Sequence, residues 1–133
     1  MVSQKTRRKW VENTMKISGN MSKYNKKISF FEILSNIPSN NAKWYIFEFD
    51  AIGKAPNNMT MSEFEDLVLN SKYGYQINWS ELLKFSKEIE DINNLILVSS
   101  ATPVAFDAIE TDTEDLSVRL EIDDSTFWEL EFY

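Results

Sequence analysis

Carboxylates are the residues with which this chain could do acid–base chemistry. Its 133 residues include no Cys and no His, which excludes thiolate nucleophiles, imidazole bases and metal sites built on either. The best candidate pair is Glu48 and Asp50, which alternate with aromatic residues along one predicted strand. Such a pair acts as acid and base only if its surroundings separate the two pKa values. A strand-end acid bonded to backbone amides has the same pattern, so we expect no enzyme and keep a carboxylate hydrolase as an alternative.

A denser acidic cluster precedes the C-terminal strands and consists of Asp107, Glu110, Asp112, Glu114 and Asp115. A calcium loop of the EF-hand type needs a Gly at its sharp turn, and no Gly follows Gly74. The cluster is therefore predicted to be a solvated loop or part of a partner-binding face. The three glycines lie too far apart for a phosphate-binding loop. We expect neither a metal nor another cofactor.

The net charge of −7 is unevenly distributed along the chain. Residues 1–28 hold 8 Lys and Arg against one acid, Glu12, for a net charge of +7. Residues 29–133 hold 6 bases and 20 acids, for a net charge of −14. Within them, residues 107–133 carry 10 acids and only Arg119, a net of −9. We therefore divide the chain into a basic N-terminal arm, 1–28, and an acidic globular domain, 29–133, which favours a basic partner.

The basic arm leaves two other interpretations open. It could pair with the acidic domain within one molecule or one dimer. Alternatively, Trp10 beside Arg7, Arg8 and Lys9, with Tyr24 among further lysines, is a mixture that contacts phosphates and stacks on bases. The acidic domain opposes nucleic-acid binding, so a nucleic acid is not the partner that we expect. The oligomeric state stays open.

Three helices are predicted, each with an N-terminal signal. Ser29 with Glu32, and Thr60 with Glu63, have the spacing of capping boxes. The third helix begins at Asn78, and its predicted apolar stripe is formed by Trp79, Leu82, Phe85, Ile89 and Ile92.

Strands are predicted at 43–50 and 94–99, followed by a hairpin whose strands flank a turn at 123–125. In the first strand Tyr45, Phe47 and Phe49 should point one way and Trp44 and Ile46 the other. In the hairpin, Leu116, Val118, Leu120 and Ile122 form one face with Trp128, Leu130 and Phe132, and acids lie on the other. These elements predict a single α+β domain: a small, mainly antiparallel sheet with a C-terminal hairpin, packed against two to four helices.

The predicted partner-binding residues are concentrated on the acidic face of this hairpin. Phe127 and Tyr133 lie on or beside that face and are candidate aromatic anchors of an interface, although ordinary edge-strand exposure is the favoured explanation. The full predicted set comprises Asp112, Glu114, Asp115, Asp123, Asp124, Phe127, Glu129, Glu131 and Tyr133.

Several short runs together resemble a known class of small proteins. They are residues 44–50 with Gly53 and Pro56, Phe64-Glu65, Gly74-Tyr75, Trp79 with Leu82-Leu83 and Phe85, and residues 95–98. With this combination of runs, the chain is similar to bacterial immunity proteins. These protect the producing cell against polymorphic toxins, including those of contact-dependent growth inhibition. The resemblance implies a non-enzymatic inhibitor that binds a toxin domain, frequently a basic nuclease, and blocks its active site or substrate groove.

The alternative function is a regulatory or accessory domain whose basic arm contacts nucleic acid or a partner subunit. We expect a cytoplasmic protein, because polar residues follow the basic N-terminus where a signal peptide has an apolar run. No apolar stretch is long enough to span a bilayer, so a membrane is not an expected partner.

Overall fold

The computed structural model describes residues 15–111 and 115–133. The elements are β1 Met15–Asn20, β2 Ser22–Lys23, β3 Lys26–Lys27, α1 Phe30–Leu34, β4 Lys43–Gly53, α2 Met61–Leu69, β5 Tyr75–Asn78, α3 Trp79–Lys87, β6 Ile89–Ser100, β7 Leu116–Asp123 and β8 Phe127–Phe132. A six-stranded antiparallel sheet has the strand order β1-β8-β7-β6-β4-β5, and the short strands β2 and β3 form a separate hairpin. Among the described residues, three α-helices pack on one face of the six-stranded sheet, which confirms the predicted α+β class.

The two predicted capping boxes are confirmed. The Ser29 hydroxyl accepts the amide of Glu32, and the Glu32 carboxylate accepts the amide of Ser29, both at 3.1 Å. Thr60 and Glu63 exchange the same two bonds at 3.1 and 2.8 Å. In each box the hydrogen bond from the capping residue's backbone lowers the pKa of the glutamate.

The prediction that the third helix continues through Ile92 is wrong. Helix α3 ends at Lys87, and Ile89 and Ile92 lie in β6. The register against β4 shifts twice here, since Gly53 pairs with Ile89, Ile52 with Asp91, Ala51 with Ile92 and Asp50 with Asn94. Each shift inserts one residue into β6 as a β-bulge. Buried residues therefore recur three apart in this strand and imitate a helical stripe.

A third bulge corrects the predicted faces of β4. Ile46 pairs with Leu97 but Glu48 pairs with Ile96, so Phe47 is the extra residue. Phe49 therefore joins Trp44 and Ile46 in the main core, instead of lying on the side of Tyr45. Glu48 and Asp50 are turned to the opposite face of the sheet.

Each face of the sheet carries an apolar cluster. The helix-covered inner face holds the main core, with Leu120, Ile122, Trp128 and Leu130 from the predicted hairpin. A smaller cluster on the outer face comprises Tyr45, Phe47, Ile96, Val98, Ile109 and Leu116. Leu116 is there, contrary to its predicted place beside Val118, because the register shifts between Ser99 and Ser100. The segment before β7 thus covers part of the outer face and leaves the rest open.

Strand β1 lies within the segment that carries the basic charge and pairs along its whole length with β8. Among the residues that the structure describes, no helix has the length and apolar character needed to cross a membrane.

Candidate functional site

The open part of the outer face is lined with carboxylates. Glu48 on β4 pairs with Ile96, Ile96 with Glu121 on β7, and Glu121 with Glu129 on β8, so these acids share one row across four strands. Residues two apart along a strand share a face, which adds Asp50, Asp123 and Glu131. We call this set the acidic sheet face: Glu48, Asp50, Glu121, Asp123, Glu129 and Glu131.

Like charges lie directly opposite each other on this face. Glu121 and Glu129 form a cross-strand pair, and such pairs bring the Cβ atoms within about 5.5 Å and destabilise a sheet. Among the described residues, Lys16 on β1 and Arg119 on β7 are the bases beside these acids. Lys16 approaches Glu129 only loosely, with Nζ 3.7 Å from Oε2.

Arg119 is committed to its own neighbours. Its Nη2 donates to Glu110 Oε1 at 2.6 Å and to Glu121 Oε2 at 2.9 Å, and its side chain is only 13% exposed. Burial alone would lower the pKa of Arg119, but the hydrogen bond and charge of Glu110, with the charge of Glu121, raise it above its usual value. In return, the bond from Arg119 lowers the pKa of Glu110. Arg119 therefore fastens the segment before β7 to the sheet.

The two predicted aromatic anchors differ in their surroundings. Phe127 is 42% exposed at the end of β8, where it pairs with Asp123. Tyr133 is half-buried against the outer apolar cluster, and its hydroxyl donates to Glu131 Oε1 at 3.1 Å. Burial, followed by the charge of Glu131, raises the pKa of Tyr133 to about 12. Phe127 is thus the aromatic side chain that the acidic sheet face presents to solvent.

The structure brings together part of the predicted partner-binding set. Asp123, Glu129 and Glu131 lie on the acidic sheet face with Phe127, and Asp124 follows in the adjoining turn. The backbone amide of Asp124 donates a hydrogen bond to Asn94 Oδ1 at 3.0 Å.

Other members of the predicted set lie elsewhere. Asp115 comes just before the first residue of β7, at the end of the strand away from Asp123. There its carboxylate accepts a hydrogen bond from the Thr102 hydroxyl at 2.9 Å. Asp112 and Glu114 lie outside the described residues. Sequence reasoning did not place Glu121 in the set, although the alternation along the hairpin puts it on the same face as Glu129.

The candidate acid–base pair belongs to the same surface. Glu48 and Asp50 are both exposed on an open sheet, without the buried pocket that usually raises the pKa of a catalytic acid. Within residues 15–111 and 115–133, no group of three or more carboxylates is placed to hold a metal ion. What the described residues form here is one continuous, exposed acidic surface.

Residues 22–27 of the basic arm form a small exposed hairpin. Tyr24 and Asn25 form its turn with positive φ angles of 53° and 62°, and Tyr24 is 91% exposed. The Lys23 ammonium lies 5.6 Å from the centre of the Tyr24 ring, whereas Lys27 pairs with Asp91 at 2.5 Å. Arg7, Arg8, Lys9 and Trp10 lie outside the described residues.

Comparison of the chain with protein-family models, curated proteins and solved structures finds no match.

Proposed function

We propose that this protein is an immunity protein, which binds a basic toxin domain through the acidic sheet face and blocks its active site or substrate groove. The observation that carries the proposal is the surface of six carboxylates on the open part of the sheet. A groove that binds nucleic acid is lined with Lys and Arg. A competing protein therefore needs a negative surface of its own, and this face supplies one.

The unfavourable Glu121–Glu129 pair supports the same proposal. Like charges held opposite each other on a sheet reduce the stability of the free protein. A Lys or Arg from a partner that lies between them would relieve the repulsion and form ion pairs at the same time. Complementary charge also raises the rate of association, which suits an inhibitor that must reach its toxin before the toxin acts. Phe127 adds an apolar contact at the end of the face.

The test uses the toxin-like domain encoded by the neighbouring reading frame, purified and also co-expressed with this protein in bacteria. We expect binding by calorimetry and rescue of growth. The charge-reversed variant D123K/E129K should weaken binding by about a hundredfold or more, since like-charge contacts at an interface cost several kcal/mol.

The matched control E88K/E90K makes the same change of charge at two exposed residues outside the face, and it should bind like the wild type. No binding by the wild-type protein, or equal loss in both variants, would refute the proposal.

A second candidate function rests on the exposure of Tyr24 between lysines: contact of the basic arm with single-stranded nucleic acid, by stacking and phosphate contacts. Fluorescence anisotropy with a labelled single-stranded oligonucleotide at low salt tests it. Binding that is lost in the variants Tyr24→Ala and K23Q/K26Q, but kept in K84Q/K87Q, supports this function. Absence of binding by the wild-type chain at low salt removes it.

A further inference from the structure

A small pocket opens where the edge of β4 loses its strand partner. Strand β5 pairs only with residues 43–46 of β4, and the bulge at Phe47 follows immediately. Helix α2 lies beside the rest of the strand, and a pocket of about 150 Å³ remains between them. This volume equals that of roughly five water molecules in the liquid, at about 30 Å³ each. The space suits a single side chain from another molecule.

The base of the pocket is apolar. Phe47, Phe49 and Val68 contribute to its wall and are themselves almost fully buried. Leu69 lies at the rim, where 77% of its surface is exposed. Apolar surface of this kind favours the methylene groups of an entering side chain.

The remaining lining is negative. Glu48, Glu65 and Asp66 surround the apolar surface, and no Lys or Arg is among the described residues that line the pocket. Glu65 is held in place, because its Oε2 accepts the amide of Ala51 at 3.1 Å. The last turn of α2 also contributes, since a helix C-terminus carries partial negative charge and this one has no basic residue in its last turn.

From this combination we infer that the pocket receives the side chain of a Lys or Arg of the partner, with the aliphatic stem against Phe47 and Phe49 and the charged group between Glu48 and Asp66. An acidic or purely apolar side chain would leave these carboxylates uncompensated. Glu48 belongs to both the pocket and the acidic sheet face, so a basic segment lying on the face reaches the pocket directly. The inference rests on the proposed function and adds an anchoring position to it.

The first experiment needs no toxin. We titrate n-butylguanidinium chloride, which carries the charged group and stem of arginine, into the isotopically labelled protein and follow the backbone amide signals by NMR. The neutral analogue n-butylurea is the matched ligand. We expect saturable shifts for residues 47–51 and 65–69 with the cation and much smaller shifts with the urea. Equal shifts with both ligands, or shifts confined to other residues, would overturn the inference.

Variants then test the carboxylates. E48Q/D66N should weaken the binding of n-butylguanidinium by about four- to twenty-fivefold, because each exposed ion pair contributes about two- to fivefold. E88Q/E90Q removes two charges elsewhere and should leave the affinity unchanged. An unchanged affinity in E48Q/D66N would contradict the assigned role of these residues.

Binding of the variants to the toxin-like domain of the neighbouring reading frame distinguishes this inference from the proposed function. If D123K/E129K loses toxin binding but E48Q/D66N binds as tightly as the wild type, the pocket is not an anchor and the inference fails while the proposed function stands. If E48Q/D66N also lowers the affinity, and E88Q/E90Q does not, both are supported. If the wild-type protein does not bind the toxin domain, the proposed function fails, and with it the pocket's assignment to this partner.

Discussion

Replacing Arg119 by Met should destabilise the fold by removing the cation that joins the sheet to the segment before β7. Arg119 donates to Glu110 at 2.6 Å and to Glu121 at 2.9 Å from a side chain that is 13% exposed. Methionine keeps an apolar stem of similar reach, so the change removes mainly charge and hydrogen bonds. Hydrogen bonds made by a charged group such as this guanidinium contribute about 1.5–3 kcal/mol each when they are well shielded from solvent.

Solvent screening lowers this value. The side chains of Glu110 and Glu121 are 65% and 42% exposed, so each bond should approach the upper end of the about 0.2–1 kcal/mol typical of exposed pairs. The variant also removes the positive charge that offsets the repulsion between Glu121 and Glu129. This repulsion costs about 0.2–1 kcal/mol. The two bonds and the added repulsion together should lower the free energy of unfolding by about 2–3 kcal/mol at pH 7.

Urea denaturation measures this difference directly. With a slope of about 1–3 kcal/mol per molar urea, the midpoint should shift by roughly half a molar or more. The matched control is Lys16→Met, which removes the other base of the acidic sheet face. Lys16 is 57% exposed and 3.7 Å from Glu129, so its loss should cost less than about 0.5 kcal/mol. Equal costs for the two variants would refute the role given to Arg119.

The pH dependence provides a second check of the same reasoning. The bond from Arg119 lowers the pKa of Glu110 in the folded protein. A lowered folded pKa contributes stability above the unfolded value, about 4.3 for glutamate, and that contribution is lost as the pH falls through the folded pKa. The difference between wild type and Arg119→Met should therefore be largest near neutral pH and narrow below about pH 4. A difference that grows in acid would show that another interaction dominates.

Three further outcomes are expected. Gly53→Ala should lower the free energy of unfolding by more than about 2 kcal/mol in urea denaturation, because φ is +146° and a Cβ would overlap the carbonyl oxygen of Glu88; a neutral effect would contradict this backbone geometry. Thr60→Ala should cost about 1 kcal/mol in the same assay by removing an N-cap, and Thr60→Ser should recover most of it. In an absorbance titration of the phenols, one tyrosine should ionise near pH 12 and Tyr133→Phe should remove that step; an unchanged titration would show that Tyr133 is not the residue concerned.

Local sequence signals predicted the elements that depend on neighbouring residues. The capping boxes at Ser29 and Thr60 need only a hydroxyl and a carboxylate three residues apart, and both helices begin there. The C-terminal hairpin follows from alternation and a turn, so β7 and β8 were also predicted. These features are encoded within a few residues of each other, which is why they can be predicted without knowledge of the fold.

The predictions from sequence were wrong where the geometry of one strand depends on the strand paired with it. Buried Ile89, Ile92 and Leu95 are three residues apart because two bulges interrupt β6, and a spacing of three is also that of a helix face. A bulge depends on the partner strand, through pairs such as Ala51 with Ile92. No periodicity within the strand itself distinguishes it from a helix.

The same kind of bulge determines the candidate site. With uninterrupted alternation, Glu48 would share the buried side of Trp44 and Ile46. The extra residue at Phe47 reverses the faces, so that Glu48 and Asp50 join Glu121 and Glu129 across the sheet. The hairpin acids were predictable as one surface because β7 and β8 are adjacent in sequence. Their extension to β4, and the pocket beside it, require the strand order and the bulge together. A carboxylate pair that suggested acid–base chemistry in the sequence therefore lies, in the fold, at the far side of the acidic surface that we propose binds a basic partner.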